Sequence, residues 1–328
     1  MDFSVSRRTL LKTGAAVAAA SAVPAYAQAK PTLRFAAVFS DKDIRAKMIE
    51  MLAKDVEGDF KIESHLNGSL FRQGTELVAL QRNNLEMGNI APQDVSNQIP
   101  AWSIVTSAYL FRDAKHLHAF FASAPGAEMT KMVEDQLKVK ILGPTFFGTR
   151  QVGLKPNKKI TTPADMAGIK LRMPGGDAWQ MLGRSLGANP VPVAYAEVYT
   201  SLQTGAIDGQ DNPLPNVQNM KFYEVMSQMV MTSHLIGFDL LCISSKAWAS
   251  MTPAQQQKFQ AAATKAIQWS ADEHLKQEAE LVDFLKKQGL QINTPDVKAF
   301  RDHAQKMYLE SDLAKAWPKG LKIGRAHA

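Results

Sequence analysis

Apolar residues recur at helical spacing from Thr252-Pro253 to about Lys287, a run of some 35 residues. Thr252 is a capping residue type and Pro253 suits the first helical position. At 1.5 Å per residue the run spans about 50 Å, longer than a small domain is wide, so it has to lie across two bodies. A mature length of about 300 residues also favours two domains over one core. No internal repeat, low-complexity linker or Pro/Ser-rich hinge separates such bodies. Ordered strands therefore have to join them, with the chain crossing more than once.

The N-terminal half alternates strand and helix at βαβ spacing. Residues 32–38 read as a strand, 43–56 as a helix with Ile44, Met48, Met51, Leu52 and Val56 on one face, and 60–65 as a second strand. A helix over 75–83 and a short strand over 86–91 follow. Pro92 then opens an irregular stretch, where a parallel sheet would present a binding loop. Further on, strands are expected at 139–142, 150–154, around Arg172 and at 240–244, with helices from Gly176 to Gly187 and over 196–203.

The first 27 residues stand apart. Ser6-Arg7-Arg8-Thr9-Leu10-Leu11-Lys12 is a twin-arginine pattern, followed by a small-residue apolar run over 14–23 and the cleavage signal Ala25-Tyr26-Ala27. The run is about half the length needed to span a bilayer. The mature chain is expected to start near Gln28 and to work in the periplasm. Arg7, Arg8 and Lys12 against Asp2 give the leader two net positive charges, so its removal takes the formal charge from +7 to +5. The basic residues are scattered, with no stripe of interleaved aromatics, which argues against nucleic acid. Cys242, the lone cysteine, lies in Leu240-Leu241-Cys242-Ile243 and reads as an inert core thiol.

Three polar residues between 148 and 213 carry the functional signal. Arg172 sits in Leu171-Arg172-Met173-Pro174, and Pro174 marks the end of its strand. A guanidinium there projects into a crevice and can grip a carboxylate through two parallel hydrogen bonds, unless Asp165, Asp177 or Glu197 neutralises it internally. Arg150 follows Phe147-Gly148-Thr149 and reads either as a second anion contact or as a solvated strand residue. Asn212 closes Asp208-Gly209-Gln210-Asp211-Asn212 before Pro213, where a turn role competes with ligand contact. Tyr195 and Trp179 are either pocket walls or core.

Enzyme signatures are weak. Gly183-Arg184-Ser185-Leu186-Gly187 matches the nucleophile-elbow spacing, but its serine falls near the end of a helix and not between strand and helix. His116 and His118 are two apart on a helix, so they diverge and cannot share a metal. No cysteine cluster, Walker loop or dinucleotide fingerprint is present, and neither cofactor nor metal is expected.

Five blocks in order, Ala167-Gly168-Ile169-Lys170-Leu171-Arg172-Met173-Pro174, Leu186-Gly187-Ala188-Asn189-Pro190, Glu197-Val198-Tyr199, Gly205-Ala206-Ile207-Asp208-Gly209-Gln210-Asp211-Asn212-Pro213 and Lys221-Phe222-Tyr223-Glu224, resemble the DctP-type solute-binding proteins of tripartite ATP-independent periplasmic (TRAP) transporters. A weaker resemblance runs from Leu33 to about Tyr308. It implies a two-domain α/β periplasmic-binding-protein-like fold with a hinge cleft, domain I being 31–147 plus about 238–277 and domain II 148–237 plus about 278–328. It also implies a monomer that closes on a small carboxylate and delivers it to membrane permease subunits. On that resemblance Arg172 forms the bidentate bridge to the carboxylate, Arg150 assists, Asn212 hydrogen-bonds the ligand and Tyr195 lines the pocket, with Trp179 as a flat wall. Sialic-acid-binding relatives carry an acidic residue after the strand at Asn89-Ile90-Ala91, where this chain has Pro92, Gln93 and Asp94. Gln93 is taken as the contact there, and the expected ligand is a C4-dicarboxylate, a sugar acid or an aromatic or hydroxy acid. An exported enzyme acting on an organic acid, or a ligand-sensing periplasmic protein, is the alternative.

Overall fold

The computed structural model describes residues 29–317. The leader and residues 318–328, assigned above to domain II, lie outside the described residues. Strand β1 (Thr32–Ala36) leads into helix α1 (Ile44–Val56), capped by the Asp43 carboxylate, which accepts the N–H of Arg45. β2 (Lys61–His65), α2 (Glu76–Gln81) and β3 (Met87–Ile90) complete a unit in which β1 pairs in parallel with both neighbours. Helices α3 (Pro92–Ser96), α4 (Ala114–Phe121) and α5 (Ala124–Leu137) carry the chain to β4 (Val139–Leu154).

A second unit follows: β5 (Lys170–Met173), α6 (Asp177–Ser185), β6 (Asn189–Pro192), α7 (Val198–Thr204), β7 (Gly209–Pro213) and α8 (Leu214–Asn219). Here β5 pairs in parallel with β6 and β7. β8 (Gln228–Ser244) returns antiparallel to β4, and α9 (Ser245–Ala249), α10 (Pro253–Lys287), β9 (Gln291–Asn293) and α11 (Val297–Glu310) complete the described helices and strands.

The strands form one sheet in the order β2-β1-β3-β8-β4-β7-β5-β6, with β9 on β8. Its two ends are parallel βα units, and β4 and β8 are the antiparallel pair shared by both. β3 docks on the far end of β8 and β7 on the far end of β4. Each half buries a core on both faces: Trp102 and Val133 on one side and Phe35 and Met48 on the other in the first half, Leu182 and Phe300 against Val198 and Leu214 in the second.

Helix α10 serves both halves, as its length required. Phe259 and Ala263 pack into the first half, and Leu281 and Leu285 into the second. Its start is a full capping box: the Gln255 side chain accepts from the Thr252 N–H at 2.9 Å, and the Thr252 hydroxyl accepts from the Gln255 N–H at 3.3 Å.

Four local expectations are corrected. The strands at 139–142 and 150–154 are one strand, kept continuous past Gly143-Pro144 and Gly148 by register shifts at Ile141/Gly143, Phe146/Gly148 and Arg150/Val152. The strand at 240–244 is only the end of β8, whose earlier residues are buried on both faces and so lack alternation. The stretch after Pro92 is the short helix α3, with proline at its first position. Gly209 to Asn212 are strand, not turn.

The crossing strands and the long helix meet at one point. Gly148 pairs with Gly237, and the Glu278 carboxyl on α10 accepts the N–H of Thr149. Gly148 has φ +115°, and a Cβ there would lie 2.7 Å from Cβ of Pro213. Both the backbone region and the space demand glycine. Gly148→Ala is therefore expected to destabilise the fold by about 1–3 kcal/mol, read as a lower urea midpoint; an unchanged midpoint would show that the crossing tolerates a side chain.

Candidate functional site

A cleft, partly open to solvent, lies between the halves of the sheet. Parallel strands end at it from both sides, as in other open α/β sheets. The first half contributes Arg45 from α1, Gln73 and Glu76 at the start of α2, Asn89 from β3 and Asp94 from α3. The second contributes Arg172 from β5, Trp179 from α6, Tyr195, Asn212 from β7 and Asn216 from α8. Arg150 on β4 and Asp239 on β8 come from the shared strands.

Three guanidiniums line this cleft, and their pairing differs. Arg45 is fully engaged. Its Nε and Nη2 donate to the two Asp43 oxygens at 2.9 and 2.8 Å, and Nη1 donates to Asp239 Oδ2 at 2.6 Å. It is also stacked between Phe39 and Phe147, 4.4 and 4.2 Å from the ring centroids. Arg150 is engaged as well, donating from Nε to Asp211 Oδ2 at 2.7 Å and from Nη2 to Oδ1 at 3.0 Å. Its guanidinium lies 4.9 Å from the centre of the Trp179 ring.

Arg172 is the exception. It is 1% exposed, yet among the described residues no carboxylate lies within 4.0 Å of its guanidinium. Nε donates to the Val193 carbonyl at 2.8 Å and Nη2 to Gln73 Oε1 at 3.0 Å, while Nη1 makes no hydrogen bond among the described residues. The internal partners considered from sequence are engaged elsewhere or distant. Asp165 accepts the N–H groups of Thr161 and Thr162, and Glu197 pairs with Arg72 at 3.3 Å. Burial pulls the Arg172 pKa down to about 10, the charge of Asp211 opposing it, so the group stays cationic at neutral pH.

Of the residues singled out from sequence, Arg172, Arg150, Asn212, Tyr195 and Trp179 all reach the cleft. Arg150, read from sequence as a second anion contact or a solvated strand residue, is buried and holds Asp211 through Nε and Nη2, while its Nη1 makes no hydrogen bond among the described residues. Burial would raise the Asp211 carboxyl, but the charge of Arg150 and the hydrogen bond from His234 outweigh it and hold the carboxyl far below its ordinary range. The His234 ring, 3.1 Å from Asp211, is itself lowered by burial. Asn212 donates to Gln210 Oε1 at 2.6 Å, and Asn216 donates to the Tyr195 hydroxyl at 3.0 Å.

Gln93 is corrected. It is 3% exposed and is not among the residues lining the cleft; its neighbour on α3, Asp94, takes that place. Pro92 starts the helix, and one step around a helix turns a side chain by about 100°. Ser185 hydrogen-bonds the Leu182 carbonyl within its own helix, and Cys242 is buried, which pushes its thiol up.

Sequence reasoning missed Arg45, Gln73, Glu76, Asn89, Asn216 and Asp239. Gln73 matters most. Its Oε1 accepts from both Arg172 Nη2 and the Tyr195 N–H, at 3.0 and 2.9 Å, and so ties the halves together across the cleft. With the Arg72–Glu197 ion pair, these contacts make the arrangement a closed one.

The same architecture is found in known proteins. The family profile of bacterial extracellular solute-binding protein, family 7 (DctP), matches residues 35–313. The chain belongs to this family. A twin-arginine signal profile matches residues 4–24, and the chain is a periplasmic protein. It is similar to the TRAP periplasmic solute-binding protein of Roseobacter denitrificans solved with bound 3-deoxy-D-manno-oct-2-ulosonic acid, at 42% identity and TM-score 0.87, covering 89% of this chain and 97% of that one. It is 30% identical to the sialic acid-binding periplasmic protein SiaP of Vibrio cholerae over 93% of this chain and 95% of the other. With the 2,3-diketo-L-gulonate-binding periplasmic protein YiaO of Escherichia coli the identity is 26%, over 91% and 92%. This DctP-family chain has the two-domain periplasmic-binding-protein fold, and its family consists of solute-binding proteins.

Two predictions follow from the charges. In Asp211→Asn the Arg150 guanidinium stays buried without its counter-ion, which should cost about 3–5 kcal/mol in urea unfolding; a loss near zero would mean that the ion pair is dispensable. Burial raises Asp94 from 3.8 to about 8 and Glu76 from 4.5 to about 7. The folded chain thus keeps protons that the unfolded chain releases from about pH 4 upward. These two groups lower stability as pH rises through that window, and the decline should be shallower in Asp94→Asn. Parallel pH slopes for the two proteins would refute this.

Proposed function

We propose that the chain is the monomeric periplasmic receptor of a TRAP transporter, capturing a small organic acid by hinge closure and presenting the closed form to the membrane subunits. The observation that carries this reading is Arg172, a buried cation in a cleft whose other two guanidiniums already have carboxylates. A carboxylate reaching Nη1 and the open side of Nη2 would complete it with two charge-assisted bonds. In the low dielectric of a closed cleft such contacts are stronger than at a surface.

Around that grip, Asn212, Asn216 and Tyr195 supply polar edges and Trp179 a flat wall. Arg150 is assigned the task of holding Asp211 and Trp179 in place, in preference to direct ligand contact. The moving bodies are residues 31–147 with about 238–277, and 148–237 with about 278–317, turning about the Gly148–Gly237 crossing. Gln73 would lock closure, since it reaches Arg172 and Tyr195 only when the halves meet. The similar proteins bind 3-deoxy-D-manno-oct-2-ulosonic acid, sialic acid and 2,3-diketo-L-gulonate, all carboxylic acids, which supports the class.

Calorimetry and thermal shift against a carboxylic-acid library test the reading, because a ligand of the native state raises its melting temperature. Arg172→Ala should weaken binding by about 2–5 kcal/mol, roughly 30-fold to several thousand-fold, with the unliganded fold unchanged or steadier. Arg172→Lys should also bind poorly, since a point charge cannot replace the fork. Affinity within about twofold of wild type in Arg172→Ala would overturn the carboxylate grip.

A further inference from the structure

Closure of the cleft covers two carboxyl groups that the chain leaves without a cation of their own. Asp94 on α3 and Glu76 at the start of α2 belong to the first half, and both line the cleft. A side lobe holds Asp94 together with Thr75 and Asn97 of the same half and Gly175, Gly176 and Trp179 of the other. Glu76 shares the cleft with Arg172, Tyr195 and Asn212. Part of the cover over both carboxyls thus comes from across the hinge. Parting the halves returns them to water.

Nothing in the protein replaces that water. Asp94 is only partly exposed, and its carboxyl accepts no hydrogen bond among the described residues. Glu76 is 4% exposed and accepts backbone N–H groups beside it, that of Gly74 at 2.8 Å among them. The charged groups facing the pair do not neutralise it. Asp239 on β8 raises both, and Glu76 raises Asp94. Arg45 on α1 is held by Asp43 and by Asp239, to which Asn89 also donates. Across the cleft Arg150 on β4 is paired with Asp211, and Arg172 on β5 is turned to Val193 and Gln73. Tyr195, raised by burial to about 12, stays neutral, and Asp177 at the start of α6 is exposed. Burial first, and then the neighbouring carboxyls, raise Asp94 to about 8; burial raises Glu76 to about 7 against the pull of its backbone N–H groups.

We propose that ligand capture is coupled to proton uptake: as the halves close over an acid, Asp94 and Glu76 take protons from the solvent, and opening releases them. This rests on the reading of Arg172 as the carboxylate grip. Two effects act in the same direction. Closure removes water from carboxylates that have no cation to replace it, which favours their neutral form. The incoming carboxylate also cancels the charge of Arg172, whose field in the cleft no carboxylate of its own offsets, so the wall opposite loses a stabilising cation. The closed, liganded form then binds more protons than the open one. Affinity therefore falls as pH rises from about 5 and levels off above the closed-form values of about 7 and about 8. Small carboxylic acids are ionised throughout that range, so their own titration does not produce the change.

The experiment is a proton inventory by calorimetry on the mature chain. The acids titrated are 3-deoxy-D-manno-oct-2-ulosonic acid, galactonate, glucuronate and erythronate, each in buffers of low and high ionisation enthalpy, phosphate and imidazole, at about pH 6 to 7.5. The difference in heat between the buffers gives the protons taken up per acid bound. The wild type is expected to take up about one proton at about pH 7 and to lose roughly tenfold in affinity per pH unit. The double variant Glu76→Gln/Asp94→Asn fixes both groups in neutral forms of nearly the same shape. It should take up less than about 0.3 proton, with affinity changing less than about twofold over the same range. Asp94→Asn alone should keep about half of the wild-type uptake, and circular dichroism confirms that the variants fold.

Binding without proton uptake, uptake undiminished in the double variant, or loss of binding in both neutral variants, which mimic the protonated groups, would each overturn the coupling. If binding needs Arg172 but takes up no proton, this inference fails while the carboxylate grip stands. If Arg172→Ala binds as wild type does, or none of the four acids binds, the grip itself has failed and the coupling with it.

Discussion

One buried guanidinium lacking a carboxylate organises this molecule. A charge such as that of Arg172 is tolerated in a protein interior only when hydrogen bonds and nearby anions offset its lost hydration. Here the offset is partial: a carbonyl at Nε, a side-chain amide at Nη2 and a carboxylate, Asp211, that already belongs to Arg150. The two other arginines of the cleft are neutralised by residues close to them in the fold, Arg45 by Asp43 and Asp239 and Arg150 by Asp211. Their pairing keeps the cleft from being a general anion trap and concentrates the demand for a negative group at one place.

The scaffold makes that place adjustable. Two βα units would each be a rigid body, but β4 and β8 pass through both, and α10 packs against both cores. The connections converge at Gly148, Gly237 and Glu278, a few residues where the sheet changes register and a helix side chain accepts a backbone N–H. Bending at such a point moves two packed cores without opening either, and costs little beyond the contacts that cross the cleft. Across the cleft mouth the polar ones come from Gln73 and Arg72, which suits a reversible closure driven by the ligand.

Much of this was legible in the sequence, for physical reasons. The 35-residue helix, its Thr252-Pro253 start and its need for two bodies follow from periodicity and end signals, which are local. The strand-end position of Arg172 was legible because Pro174 follows it, but its lack of an internal carboxylate was not, since Asp165, Asp177 and Glu197 all stayed open as partners. What escaped was pairing between distant segments. Nothing near Arg150 announces that Asp211, 61 residues away, closes its fork, or that Asp239 meets Arg45 across 194 residues. The long strands were read as fragments because strands buried on both faces carry no alternation, and bulges hide their continuity. Gln93 was misplaced by one residue: the stretch was read as a loop, and only its helical turn fixes that Asp94 faces the cleft.

The most direct test is a crystal structure of the mature chain with an acid that it binds. The account predicts carboxylate oxygens about 2.7–2.9 Å from Nη1 and Nη2 of Arg172, with Arg150 still paired to Asp211. A carboxylate seated elsewhere in the cleft, with Arg172 left without it, would contradict the central claim.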